Sequence, residues 1–210
     1  MNLHHFVQGI NGIIPGGISI NDFAAVTNTT QEASEKILEE LVYNNIGQKR
    51  EGGFEFTEGD KLKAALYLLE KGASIEDVSY FLNWKDFEGL VAEILVSKGF
   101  GIIKNLVLTK PRVEIDVVGI KLGVAVLIDC KHWKKSSISV LEDAVNKQIG
   151  RTKHYVSKTQ GIIAVPAIVT LYQEKIDFIN RVPIIPIQRF SSFVDDLYGN
   201  LDEVTIIKSN

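Results

Sequence analysis

From Gly99 onward the apolar positions of this chain fall into strand-like runs separated by stretches of helical spacing. "VEIDVVGI" (113–120) follows a turn at Lys110-Pro111, and "VAVLIDCK" (124–131) opens with five apolar residues, Val124 to Ile128. A continuous apolar run of that kind predicts a strand covered on both faces. "GIIAVPAIV" (161–169) and "VPIIPI" (182–187) read the same way, and another strand is expected just after Gly99. Helices are expected from about Lys85 to Ser97, from about Val140 to Val156, over "LYQEKIDFIN" (171–180), and over "SFVDDLYG" (192–199) behind a Ser191 cap. Helix, strands, helix, strand predicts an α/β domain over 84–210, a mixed sheet flanked by helices.

The first sixty residues carry a different pattern. Ser19 to Asp22 and Thr29 to Glu32 each match a capping box, in which a hydroxyl and a carboxylate three residues on satisfy the free amides of a helix start. After the second, Ala33, Ile37, Leu38, Leu41 and Val42 recur at helical spacing, and "IGQKREGGFEFT" (46–57) forms two short extended runs around Gly52-Gly53. Helix, helix, hairpin resembles a small winged-helix domain, which we bound at 1–58. "DKLKAALYLLEK" (60–71) predicts an amphipathic helix ended by Gly72, with another opening at Ser74 to Asp77, so 59–83 reads as a helical linker.

Composition narrows the class. With 210 residues, 45% of them apolar, the chain can fill a proper core. No stretch approaches the roughly 18 apolar residues of a membrane span, and the N-terminus lacks the build of a signal peptide, so a cytoplasmic protein with no membrane partner is expected. A single cysteine, Cys130, excludes an intramolecular disulfide framework. With four scattered histidines it also excludes a zinc-finger spacing, so any metal must be held mainly by oxygen. The net charge of -3 is unevenly spread: residues 1–60 carry three basic against nine acidic side chains, whereas 121–160 carry eight basic against three acidic. The acidity of the second helix (Glu32, Glu35, Glu39, Glu40 against Lys36) argues against that helix entering a DNA groove. Docking or dimerisation suits it better.

The chemistry gathers inside the basic stretch. Strand alternation sends Asp129 and Lys131 to one face and Cys130 to the other. An antiparallel pairing of 113–120 with 124–131 would bring Asp116 toward them, so two carboxylates and a lysine converge. Carboxylate oxygens are what hard Mg²⁺ or Mn²⁺ accept, the Cys130 backbone carbonyl could add another oxygen, and a lysine can stabilise a phosphorane. Lys134, Lys135, Lys147 and Arg151 are candidates for gripping phosphates, with Lys158 beside them.

Helical Glu88, then Asp116 in "EIDVVG", then Asp129-Cys130-Lys131 in "VLIDCKHW" resembles the PD-(D/E)xK, or restriction endonuclease-like, nuclease superfamily. Within it the likeness is to Mrr-like restriction endonucleases and archaeal Holliday junction resolvases, over about residues 84–160. The resemblance implies metal ligation by Glu88, Asp116 and Asp129, a catalytic role for Lys131, and a metal-dependent DNA endonuclease acting as a homodimer. Ile115 stands where the superfamily name has proline. Some relatives carry glutamine and tyrosine four apart on the next helix; here Gln148, carried over as a nucleic-acid-binding residue, is followed at that spacing by Thr152.

Other residues receive plainer readings. Glu93 is expected to be solvated, Glu114 to be an outward residue turned away from Asp116, and Trp84 and Trp133 to pack rather than join the site. The alternative function is a non-catalytic DNA-binding or regulatory protein on a nuclease-like scaffold.

Overall fold

The computed structural model describes residues 3–133 and 136–208. The chain divides into two compact units, 1–87 and 88–210.

In the first unit, α1 (Leu3–Gly9) leads to β1 (Gly16–Ile18), α2 (Ile20–Thr27) and α3 (Gln31–Tyr43), followed by β2 (Gln48–Arg50) and β3 (Gly53–Phe56). The three strands form an antiparallel sheet in the order β1-β3-β2. Ser19 caps α2, its hydroxyl accepting from the Asp22 amide at 3.1 Å. The cap of α3 is Thr30, not Thr29. Its hydroxyl accepts from the Ala33 amide at 3.2 Å, while the Thr29 hydroxyl is engaged with Thr27 and Ser34. Phe23, Ile37, Leu38 and Leu41 are buried where the spacing of α2 and α3 places them.

The β2–β3 turn runs tight against β1. A Cβ built on Gly53 would lie 2.4 Å from the Ile18 carbonyl oxygen, a backbone atom that cannot step aside. Gly53→Ala is therefore expected to destabilise this unit by more than about 1 kcal/mol. Thermal denaturation followed by circular dichroism checks it, and an unchanged melting curve would contradict this packing.

Next come α4 (Asp60–Glu70), α5 (Ile75–Tyr80) and α6 (Trp84–Ser97). Ser74 caps α5 as expected, and the chain leaves α4 through Gly72 at φ 90. The helices over 60–80 are not a linker: α4 packs on α1, and both helices fall inside the first unit.

The second unit holds β4 (Gly101–Leu108), β5 (Val113–Lys121), β6 (Val124–Lys131), α7 (Ile138–Val156), β7 (Ile163–Thr170), β8 (Phe178–Ile179), β9 (Val182–Pro186), α8 (Ile187–Asp196) and β10 (Ile207–Lys208). The sheet order is β4-β5-β6-β7-β9-β8, with β10 beside β7. β4, β5 and β6 are antiparallel neighbours, while β6, β7 and β9 run parallel. The parallel step from β6 to β7 requires a crossover, and α7 supplies it. β6 is central: Val124 to Asp129 are all buried, which explains its unbroken apolar run.

Two expected helices differ. No helix forms over 171–180; Gln173 bonds the Asp177 carboxylate at 2.7 Å, the Ile184 amide bonds the Asp177 carbonyl, and the segment ends as β8. α8 begins at Ile187, so Ser191 lies within it rather than capping it. Pro186, whose ring fixes φ and removes a donor, ends β9 and turns the chain into the helix.

Candidate active site

The β5–β6 ladder ends at Val117 opposite Ile128. One step further, Asp116 and Asp129 face the gap where the strands part, and β6 continues against β7 alone as far as Lys131 opposite Thr170. On its other side the β4–β5 ladder skips Asn105 and Asp116, and Asn105 takes a left-handed backbone at φ 52. The Cys130 amide, left without a β5 carbonyl, donates to Asp116 Oδ2 at 2.7 Å. An orphaned backbone donor is thus satisfied by a side chain, and that bond fixes one carboxylate.

Asp129 is 2% exposed and fully engaged. Lys131 Nζ reaches its Oδ2 at 2.7 Å, and Arg151 donates from α7 to its Oδ1 at 2.8 Å. Two cations around one buried carboxylate offset the cost of removing its charge from water. Lys131 Nζ also lies 5.3 Å from the centre of the Trp133 ring, within cation–π range. Trp133, expected from the sequence to pack rather than join the site, lies against the site's lysine; an aromatic two residues past D-x-K is the signal that could have found it.

Glu88 comes from α6 and is 8% exposed. Burial first, then the charges of Asp116, Glu114 and Asp129, push its carboxyl up to about 7. Burial also raises Asp116, against the opposing pull of the Cys130 amide. Glu114 does not turn away from Asp116: residues two apart in a strand share a face, and its charge acts on Glu88. Burial raises the Cys130 thiol well above its usual range, which disfavours the thiolate.

Among the described residues no three His, Cys, Asp or Glu side chains converge closely enough to enclose an ion. Glu88, Asp116 and Asp129, the ligand set implied by resemblance, are near enough for the two aspartate charges to raise the Glu88 carboxyl. Asp116 and Asp129 remain as paired oxygen donors, with the Cys130 carbonyl between them in the chain. Carboxyls raised by burial and by one another's charge suit a hard divalent cation, which would relieve both. The donor set fits Mg²⁺ or Mn²⁺ by its chemistry.

The residues expected to grip phosphates divide. Lys134 and Lys135 lie outside the described residues. Lys147 is exposed on α7, and Arg151 is half-buried beside Asp129. Gln148 is the correction: it is fully buried, and its amide donates to the Leu127 carbonyl at 2.7 Å, so it offers nothing to a nucleic acid. It sits on the sheet side of α7, where Thr152 is also fully buried. In the first unit, Lys49 pairs with Glu39 and Arg50 with Glu55, so the two hairpin cations are already matched by carboxylates.

No helix among the described residues is long and apolar enough to cross a membrane. Residues 80–175 match the family described as Restriction endonuclease. An uncharacterized protein of Archaeoglobus fulgidus is 28% identical over 126 residues, spanning 58% of this chain and 97% of that protein. Two solved structures are similar. One is of a protein of unknown function, AF1548 (24% identity, 44% of this chain, 48% of that one, TM-score 0.35), the other of protein VC1899 from Vibrio cholerae (14%, 99%, 53%, TM-score 0.48). The match covers about half the length of each solved chain. The match over residues 80–175, on a mixed sheet flanked by helices around Asp116, Asp129 and Lys131, supports the restriction endonuclease-like PD-(D/E)xK superfamily for this part of the chain.

Proposed function

We propose that this chain is a Mg²⁺- or Mn²⁺-dependent DNA endonuclease that hydrolyses phosphodiester bonds, acting as a homodimer whose second copy serves the second strand. One observation carries this reading: the parting of β5 and β6 gathers Asp116, Asp129 and Lys131 in one charged gap, with the Glu88 carboxyl close enough to be raised by the two aspartates. When bound, the metal would make water a stronger nucleophile and neutralise charge building on the phosphate. Asp116 and Asp129, with the Cys130 carbonyl, would hold it. Lys131, steadied by Trp133, would donate toward a phosphate oxygen. Glu88, poised near neutrality, can accept or release a proton. Lys147 and Arg151 would bind the flanking phosphates, joined by Lys134 and Lys135.

A second reading, a non-catalytic DNA-binding protein on this scaffold, is favoured by the pairing of both Asp129 oxygens with cations. The separating experiment incubates the full chain with duplex, flapped, single-stranded and four-way-junction DNA in Mg²⁺ or Mn²⁺. Cleavage of at least one substrate is expected, with none from Asp129→Asn. Equal cutting by both proteins would overturn the assignment, and no cutting together with no Mn²⁺ heat by calorimetry would establish the scaffold reading.

A further inference from the structure

A glycine on the outer face of α7 serves no purpose inside the chain. Gly150 lies within a long helix, where glycine is the least favourable residue after proline. Its φ is not in the left-handed region, and a Cβ added there would meet nothing within 4 Å. Neither backbone conformation nor packing within the described residues calls for a missing side chain. Gly12, Gly47, Gly53 and Gly119 differ, since a Cβ at each would collide with this chain's own atoms.

The surroundings of Gly150 are cationic. From Asn146 to Lys158 the segment carries Lys147, Arg151, Lys153 and Lys158 and no acidic residue. At about 3.6 residues per turn, Lys147 and His154 fall around the helix between Gly150 and Arg151, and Lys158 follows in the turn just past its end at Val156. Lys147 and Lys158 are exposed, and Arg151 touches Asp129. The bare backbone of Gly150 therefore lies on a positively charged sector that ends at the site. One acidic residue, Asp143, shares this line nearer the helix start.

We propose that Gly150 is the point of closest approach between α7 and the sugar-phosphate backbone of the DNA substrate. Resting on the DNA-cleaving reading above, it assigns the missing Cβ to clearance for a strand that Lys147, Lys158 and Arg151 hold against the helix. Backbone phosphates, rather than base edges, are the group approached, because a smooth helix surface flanked by cations carries no hydrogen-bonding code.

The test compares wild type, Gly150→Ala, Gly150→Gln and Lys147→Ala as full chains, by thermal melting and by fluorescence anisotropy with labelled duplex, flapped, single-stranded and four-way-junction DNA in EDTA. Gly150→Ala should melt about 2–4 °C higher, because alanine is the better helix former and has room. It should bind DNA about tenfold more weakly, and Gly150→Gln more weakly still. Lys147→Ala should weaken binding and reduce its salt dependence by about one phosphate contact. A Gly150→Ala protein that melts higher yet binds as wild type overturns the clearance role, as does one that melts lower. If Lys147→Ala still weakens binding in that case, the DNA reading stands without this inference. If wild type binds neither duplex nor flapped, single-stranded or four-way-junction DNA, the DNA reading itself fails.

Discussion

Truncation of Asp129 to alanine is expected to lower the unfolding free energy by about 3 kcal/mol, as well as to end cleavage. The carboxylate is 2% exposed and accepts from Lys131 and Arg151 on separate oxygens. Removing it leaves two cations facing each other across an emptied space, so the lost attraction turns into repulsion. The lysine and guanidinium keep side-chain exposures of 22% and 26%, and water reaching them holds the loss to the lower end of the range for buried pairs. Asp129→Asn preserves the volume and one accepting oxygen, so it should unfold at a higher urea concentration than Asp129→Ala while being equally inactive. Urea denaturation of both proteins without metal checks this. Equal midpoints for wild type and alanine would show that the cations are fully hydrated and the triad structurally idle.

The second large effect concerns Glu88 and has the opposite sign. Its carboxyl is near 7 in the fold against an ordinary 4.5, so the folded state holds its proton longer than the unfolded chain does. Below pH 4.5 both states are protonated and Glu88 contributes nothing. Between 4.5 and about 7 the unfolded chain ionises first, so stability falls as pH rises. Well above 7 the whole penalty is present, at most about 3 kcal/mol from the shift and less to the extent that water screens the carboxylate. Glu88→Gln is therefore expected to raise the unfolding free energy at pH 8 by up to about that amount while leaving pH 4 unchanged. Urea denaturation at the two pH values measures it. A glutamine protein no more stable than wild type at pH 8 would mean that Glu88 is well solvated in the fold.

Much of this arrangement was legible in the residues. The run Val124 to Ile128 marked the central strand because a strand covered on both faces has no polar alternation to blur it. Its polar end therefore stood out, and Asp129 with Lys131 lies where the pattern put it. The engagement of Arg151 with Asp129 was not legible, since a cation on a helix looks the same whether it faces solvent or a strand 22 residues back. The burial of Gln148 is hidden for a related reason: a motif position does not say which side of α7 meets the sheet, although Thr152, four residues on, lies on that same buried side. The expected helix over 171–180 failed because helical spacing in so short a stretch competes with local side-chain bonds, here Gln173 to Asp177. The linker expected over 59–83 failed because amphipathic spacing reveals a buried face but not what covers it.

The bond from the Cys130 amide to Asp116 gives the site a mechanical side. Where other positions of the sheet are tied backbone to backbone, this one is tied through a charged group that other cations or protons can claim. Anything that draws the Asp116 carboxylate away also slackens the end of β6. The hold on this end of β6 is thus set by the charge state of Asp116 as well as by the sheet, and a cation that claimed that carboxylate would be felt in the backbone.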